Sequence, residues 1–261
     1  MDVLIAGQQP VKLRMVDPKR INKLLFGAYY EEDIYDRFCG LLPRAMRAFH
    51  WRIDPVIRAR KLIFVHVPRV AGTSIARTLY GPGCTRHHSM RYFRTVDPAF
   101  AAEVPSFALL RDPFDRFASA YSFVRARGTE GCRLADVFVA ETAHIATADD
   151  YLSYLEERGD LALDFVMRRQ SWFVCDLKTG APLVKTLFLY GQDEAALAAY
   201  LRPHGVGSLP WLNRGVRGPL LLSPRQRRRI ERVYADDFAL IESVRKQRAL
   251  DDPRALGSAA E

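Results

Sequence analysis

Short apolar runs alternate along this chain with segments whose apolar residues recur every three or four positions. The run LIFVHV at 62–67 is apolar and β-branched, the composition of a short strand buried on both faces. Past the next loop, Ile75, Leu79 and Tyr80 share one helical face, and the GPG at 81–83 stops that helix. The plan then repeats. SFALL at 106–110 reads as a strand, and Asp112 with Pro113 supplies an N-cap and first-turn proline for a helix running to about Arg127. Residues from about 132 to 172 read as further helices, LVKTLFLYG at 183–191 as a third strand, and DEAALAAYL at 193–201 as a helix. Ser223 and Pro224 open one long terminal helix whose buried stripe is Ile230, Val233, Tyr234, Phe238 and Ile241. Upstream, Ile21, Leu24, Leu25 and Tyr29, then Ile34, Phe38, Leu41 and Leu42, keep helical spacing, broken by Gly40, Pro43 and Pro55.

Strands alternating with helices predict an α/β fold, a central parallel sheet with helices on both faces and ligands at the carboxyl ends of the strands. The expected organisation is an N-terminal helical extension over 1–58, an α/β domain over 59–248 and a flexible tail over 249–261. No solenoid-period repeat or low-complexity block interrupts it.

Lysine and arginine outnumber aspartate and glutamate by 39 to 30, a formal net charge of +9, which attracts phosphates, acidic glycans, nucleic acid or anionic lipid heads alike. Cys39, Cys84, Cys132 and Cys175 are far apart and form no CxxC pair, the usage expected of reduced thiols in the cytoplasm. The N-terminal apolar stretch is too short for a signal peptide, and no run approaches the roughly 20 residues of a spanning helix. The expectation is a cytoplasmic protein, with peripheral contact at the inner membrane left open.

HVPRVAGTSI at 66–75 places Gly72, Thr73, Ser74 and Arg69 where a strand becomes a helix. Amide N–H groups converge at such a junction, and a glycine lets an anion approach the main chain. A tight turn with a hydroxyl cap uses the same residues, so the loop taken alone does not decide. A Walker A loop needs lysine directly after its second glycine, whereas the only cation here precedes the single Gly72 by three positions. This disfavours a nucleotide-dependent kinase or ATPase.

HVPRVAGTSI resembles the 5'-phosphosulfate loop, H-x-P-K-T-x-G-T-S, of sulfotransferases that use 3'-phosphoadenosine 5'-phosphosulfate (PAPS). LLRDPFDRFASAY at 109–121 is similar to that family's second signature, R-[DN]-P-x-x-R-x-x-S-x-Y. MRRQSWFVCD resembles its R-P-Q segment and LPWLNRG its P-x-L-N loop, so the likeness spans roughly 60–245. Physical spacing agrees: Asp112, Arg116 and Ser119 share one helical stripe, while Phe114, Phe117 and Tyr121 face elsewhere, towards the sheet.

The resemblance implies a P-loop-like fold and metal-independent, in-line sulfuryl transfer from PAPS to a hydroxyl, and its carbohydrate-type loop suggests a glycan or glycolipid acceptor. Arg69 and the amides of Ala71, Gly72, Thr73 and Ser74 would hold the 5'-phosphosulfate, Arg111 and Ser119 the 3'-phosphate, and Asn213, Arg214 and Arg217 would close over the nucleotide. Family members deprotonate the acceptor with a histidine or glutamate. His88 is the first candidate here and His87 the second, with His66 structural or beside the donor and Glu103, Glu141 and Glu194 open as bases. The chain departs from the pattern at Arg69, where the family has lysine, and at Val70, where it has threonine. Arginine spreads its charge over a planar fork and does not substitute freely for a lysine. Two other readings compete: a kinase-like phosphotransferase with an atypical loop, and a non-catalytic nucleic-acid-binding module suggested by Arg225, Arg227, Arg228, Arg229 and Arg232, although no nucleic-acid motif accompanies that run.

Overall fold

The computed structural model describes residues 17–38, 41, 52–82, 86–129, 132–207 and 220–251. Helices α1 (Pro18–Phe26), α2 (Glu31–Phe38) and α3 (Pro55–Arg60) precede strand β1 (Ile63–Val65). Then come α4 (Gly72–Tyr80), α5 (Met90–Val96), α6 (Pro98–Glu103), β2 (Ser106–Leu110) and α7 (Pro113–Arg125). A two-residue hairpin, β3 (Gly128–Thr129) with β4 (Cys132–Arg133), leads to α8 (Asp136–Glu141), α9 (Ala148–Glu156) and α10 (Ser171–Val174). Strand β5 (Thr186–Leu189), α11 (Glu194–Leu201), α12 (Pro224–Val233) and α13 (Ala235–Asp251) complete it.

The expected α/β architecture is present. β1, β2 and β5 form a parallel sheet in the order β1-β2-β5. Every residue of β1 and β2 is buried; since successive side chains point to opposite faces, both faces of the sheet are covered. Helix starts follow the local chemistry: Asp17, Asp54, Asp97 and Asp112 each cap a helix that begins with proline, and Ser223 does so in a capping box with Gln226.

Two apolar clusters fill the molecule. One surrounds the sheet and takes in α3, α4, α5 and α10; the other joins α7, the hairpin end, α8, α9 and α12. This corrects one expectation about α7. Phe117 packs on Tyr121 and Tyr151, and Phe114 on Phe238, so this aromatic face builds the second cluster rather than lying on the sheet. The terminal helix is also not continuous: Tyr234, at φ −110° and ψ 28°, separates α12 from α13.

Helix α1 is turned opposite to its apolar pattern. Ile21, Leu24 and Leu25 are exposed, while Lys23 lies over Tyr29 and Lys19 over Tyr30. Helix α2 is tied in by charge. Arg168 forks onto Asp33 at 2.5 and 2.7 Å, and Arg37 reaches the same carboxylate at 2.8 Å. Burial pushes the Asp33 pKa up, but the two guanidinium groups outweigh it and hold the carboxyl below its ordinary value. One turn on, Asp36 accepts from the Ser89 amide and hydroxyl, both at 2.7 Å. Cys132 is an exposed free thiol and Cys175 a buried one; Cys39 and Cys84 lie outside the described residues. No helix among the described residues is long and apolar enough to cross a membrane.

Candidate active site

The chain leaves β1 through buried His66, Val67 and Pro68, then turns sharply. Arg69 (φ 70°) and Ala71 (φ 63°) both take left-handed backbone conformations on either side of Val70. Such alternation curls successive N–H groups towards one side, a shape that suits an anion. Ala71 starts α4 with no side chain capping it, and the first-turn amides of a helix carry partial positive charge. Thr73 is half-buried and Ser74 buried. Gly72 has a further, local reason to be glycine: a Cβ there would sit 2.1 Å from the His66 ring.

Helix α7 and the end of β2 hold this loop. Arg116, 1% exposed, donates to the Pro68 carbonyl at 3.1 Å. Arg111 Nη1 donates to the Arg69 carbonyl at 3.4 Å, and Arg69 Nε to Ser119 Oγ at 3.2 Å, with the Arg69 guanidinium 4.3 Å over Phe123. The two sequence signatures therefore meet, and Arg69, Arg111 and Ser119 lie together. Arg116 is a strut of the loop. The Nε of Arg111 is buried and makes no hydrogen bond, an unsatisfied cationic donor where burial makes that costly.

The backbone at Arg111 is fixed by Gln170. Its Oε1 accepts the Arg111 amide and its Nε2 donates to the Arg111 carbonyl, both at 2.8 Å. Asp237 in turn accepts from the Gln170 and Ser171 amides at 2.8 Å. Gln170 belongs to the MRRQSWFVCD segment, so the resemblance marked it, but nothing in the spacing revealed that it would clamp a strand end.

His87 and His88 occupy different surroundings. Nδ1 of His87 lies 2.9 Å from the His66 carbonyl, which only accepts, so Nδ1 carries the proton and the lone pair is on Nε2. The His87 ring sits 4.1 Å from His66 and 4.6 Å from Phe165, stacked on the latter, and burial lowers its pKa to about 4. His88 stacks on Tyr92 at 3.9 Å and lines a cavity beside β1; burial, with Arg86 nearby, lowers its pKa to about 3. Both rings are thus neutral at pH 7, well below the value near 6.5 that the exposed side chain would have.

The other candidates lie elsewhere or outside the described residues. Glu141 is held by Tyr29, by Tyr154 at 2.7 Å and by Lys23, and Glu194 opens α11. Asn213, Arg214 and Arg217 are outside the described residues. Two further carboxyls, half-buried Glu32 and buried Asp164, went unnoticed in the sequence because neither stands in a motif. Burial raises the pKa of Glu32, close to Arg86, and pushes Asp164, next to the His87 neighbour Phe165, up to about 6. Within the arginine run, Arg229 is buried and paired with Asp149 and Glu156, while Arg225, Arg227, Arg228 and Arg232 are exposed.

No curated protein and no solved structure matches the chain significantly. The family comparison does: residues 56–179 match the model of the Sulfotransferase family. That stretch runs from α3 to beyond α10 and so contains the uncapped loop, Arg111, Ser119, both histidines and the Gln170 clamp. Over residues 56–179 the chain is thus similar to the sulfotransferase family.

Proposed function

We propose that the protein moves a sulfuryl group from PAPS to a hydroxyl of a glycan or glycolipid. The observation that carries this reading is the meeting of Arg69, Arg111 and Ser119 beside an uncapped helix start, with the Arg111 Nε buried and unbonded. Two cations and a row of amides at one strand-to-helix junction suit a ligand with two separated anionic groups.

In this reading PAPS supplies an activated sulfuryl group whose bond to the 5'-phosphate oxygen breaks as the acceptor oxygen bonds to sulfur. The amides of Ala71, Gly72, Thr73 and Ser74, with Arg69, offset the charge that develops on the phosphate. Arg111 and Ser119 hold the 3'-phosphate. Asn213 and Arg214 close over the nucleotide, as the resemblance implies. His87 takes the acceptor proton on Nε2, and the His66 carbonyl fixes the ring through Nδ1. His87 is preferred to His88 for this role because the His66 carbonyl fixes its tautomer with the lone pair on Nε2, whereas no hydrogen bond fixes Nδ1 of His88. No metal is assigned a part.

Calorimetric titration with adenosine 3',5'-bisphosphate tests the reading. Wild type binds, and Arg111→Ala weakens binding at least tenfold, since a charge-assisted hydrogen bond contributes about 1.5–3 kcal/mol. Absence of binding, or equal binding by the variant, overturns it.

A further inference from the structure

β1 is an edge strand of the described sheet, and a cavity of ≈ 260 Å³ runs beside it. Its walls are largely aromatic and aliphatic, with Phe64, Tyr80 and Phe93 among them, while Arg52, Asp54, Arg86, His66 and His88 supply its polar part. The Tyr80 hydroxyl accepts from the Phe64 amide at 2.8 Å and donates to the Leu62 carbonyl at 2.7 Å, so its polar atom serves the strand edge and its ring serves as wall. Nδ1 of His88, a residue 7% exposed, is buried and makes no hydrogen bond.

His66 joins this cavity to the anion-binding loop, because its ring lines the cavity and also fills the space over Gly72. A molecule in the cavity therefore lies one ring's thickness, that of His66, from the point where the loop starts α4. The volume exceeds the roughly 150 Å³ that holds a benzene ring in an engineered apolar cavity, and apolar walls reward an apolar occupant. A purely polar sugar chain leaves such walls unused.

We propose that the cavity takes the apolar aglycone of an amphipathic glycoside, so that the acceptor is a glycolipid-like molecule whose sugar hydroxyl lies at the loop. The inference rests on the sulfuryl-transfer reading for the identity of the sugar end, and on the cavity alone for the apolar end. His88 supplies a polar contact where the sugar meets the apolar group.

Calorimetry with n-alkyl β-glucosides from methyl to decyl, below their micelle concentrations and on the full chain, tests it with and without saturating adenosine 3',5'-bisphosphate. Affinity is expected to rise about threefold to fourfold per methylene, then to level off near the chain length that fills the cavity. Ala76→Leu and Ile57→Phe, two separate fillings of the same space, flatten the series while bisphosphate binding stays within twofold, which also shows that each variant folds. Affinity independent of chain length overturns the proposal, as does a rise that neither filling changes. Failure of the bisphosphate to bind overturns the donor reading instead, and the series without nucleotide still decides the cavity.

Discussion

Ala71 and Gly72 are neighbours with opposite requirements. A left-handed conformation costs a residue with a Cβ roughly 1–2 kcal/mol, so Ala71→Gly relieves strain, offset in part by the roughly 0.5–1 kcal/mol that glycine loses in unfolded-chain entropy. Its net effect lies between about zero and a gain of about 1 kcal/mol. Gly72→Ala drives a methyl into the His66 ring and is expected to lose about 1–3 kcal/mol by overpacking; adding His66→Ala recovers part of that loss. Thermal unfolding of the three variants checks the ordering. The sequence made Gly72 look like a concession to a bound anion, because the contact with a side chain six positions back is invisible without the turn at Arg69. His88 carries a pH signature. Its folded pKa of about 3 lies below the unfolded value near 6.5, so the unfolded chain binds the extra proton in between. The stability it contributes is complete above pH 6.5 and is lost as pH falls towards 3, roughly 2 kcal/mol of it between pH 7 and pH 5. Asp164, raised to about 6, works in the opposite sense, gaining a proton in the folded state as pH falls. The comparison that isolates His88 is wild type against His88→Gln in urea at both pH values, where the variant is expected to lose about 2 kcal/mol less than wild type; equal losses count against the burial of a neutral ring.

At the scale of elements, legibility followed burial and periodicity. β2 is read as SFALL because five consecutive buried residues leave an unbroken apolar run, and α7 starts where Asp112 and Pro113 place it. The hairpin β3–β4 gave no signal, since two residues per strand cannot show a period of two. The stripe through α12 and α13 continues in sequence across Tyr234, where only the backbone turns aside, so one long helix was the natural reading. The clamp between α10 and the end of β2 was out of reach for a different reason: Gln170 and Arg111 are 59 residues apart, and a buried amide looks like any other glutamine in sequence. It bears directly on the site, because Gln170 orients the backbone from which the Arg111 side chain leaves. Gln170→Ala removes both bonds and leaves a part-buried amide and carbonyl without this partner, an expected loss of about 1–3 kcal/mol at roughly 0.5–1.5 per hydrogen bond. Bisphosphate affinity should fall with it in the folded fraction. Gln170→Glu restores the acceptor but not the donor and should fall between, and a variant that binds the bisphosphate like wild type removes Gln170 from the positioning of Arg111.

Across the whole molecule, the N-terminal helices belong to the site's support through buried charge as well as through apolar packing of Tyr29, Tyr35 and Phe38. Ile21, Leu24 and Leu25 keep helical spacing, yet these residues are exposed. Beside the packing of Tyr35 and Phe38, α2 is tied by a pair of aspartates one turn apart, Asp33 on Arg168 and Asp36 on Ser89. Apolar periodicity cannot report such contacts, because an aspartate in a helix is usually a solvated one. Ser89 caps α5 and directly follows His88, so Asp36 anchors the segment that carries both histidines. Asp33→Ala leaves the Arg168 guanidinium, 1% exposed, without its carboxylate, and breaking one side of a buried ion pair typically costs about 3–5 kcal/mol. Replacing Arg168 as well, Asp33→Leu with Arg168→Met, removes the more buried of the two stranded guanidinium groups and leaves only Arg37, the carboxylate's second partner, so it should recover part of that stability. Urea unfolding measures both. A single variant no less stable than the double would show that solvent reaches Arg168, and that α2 is held by something other than this pair.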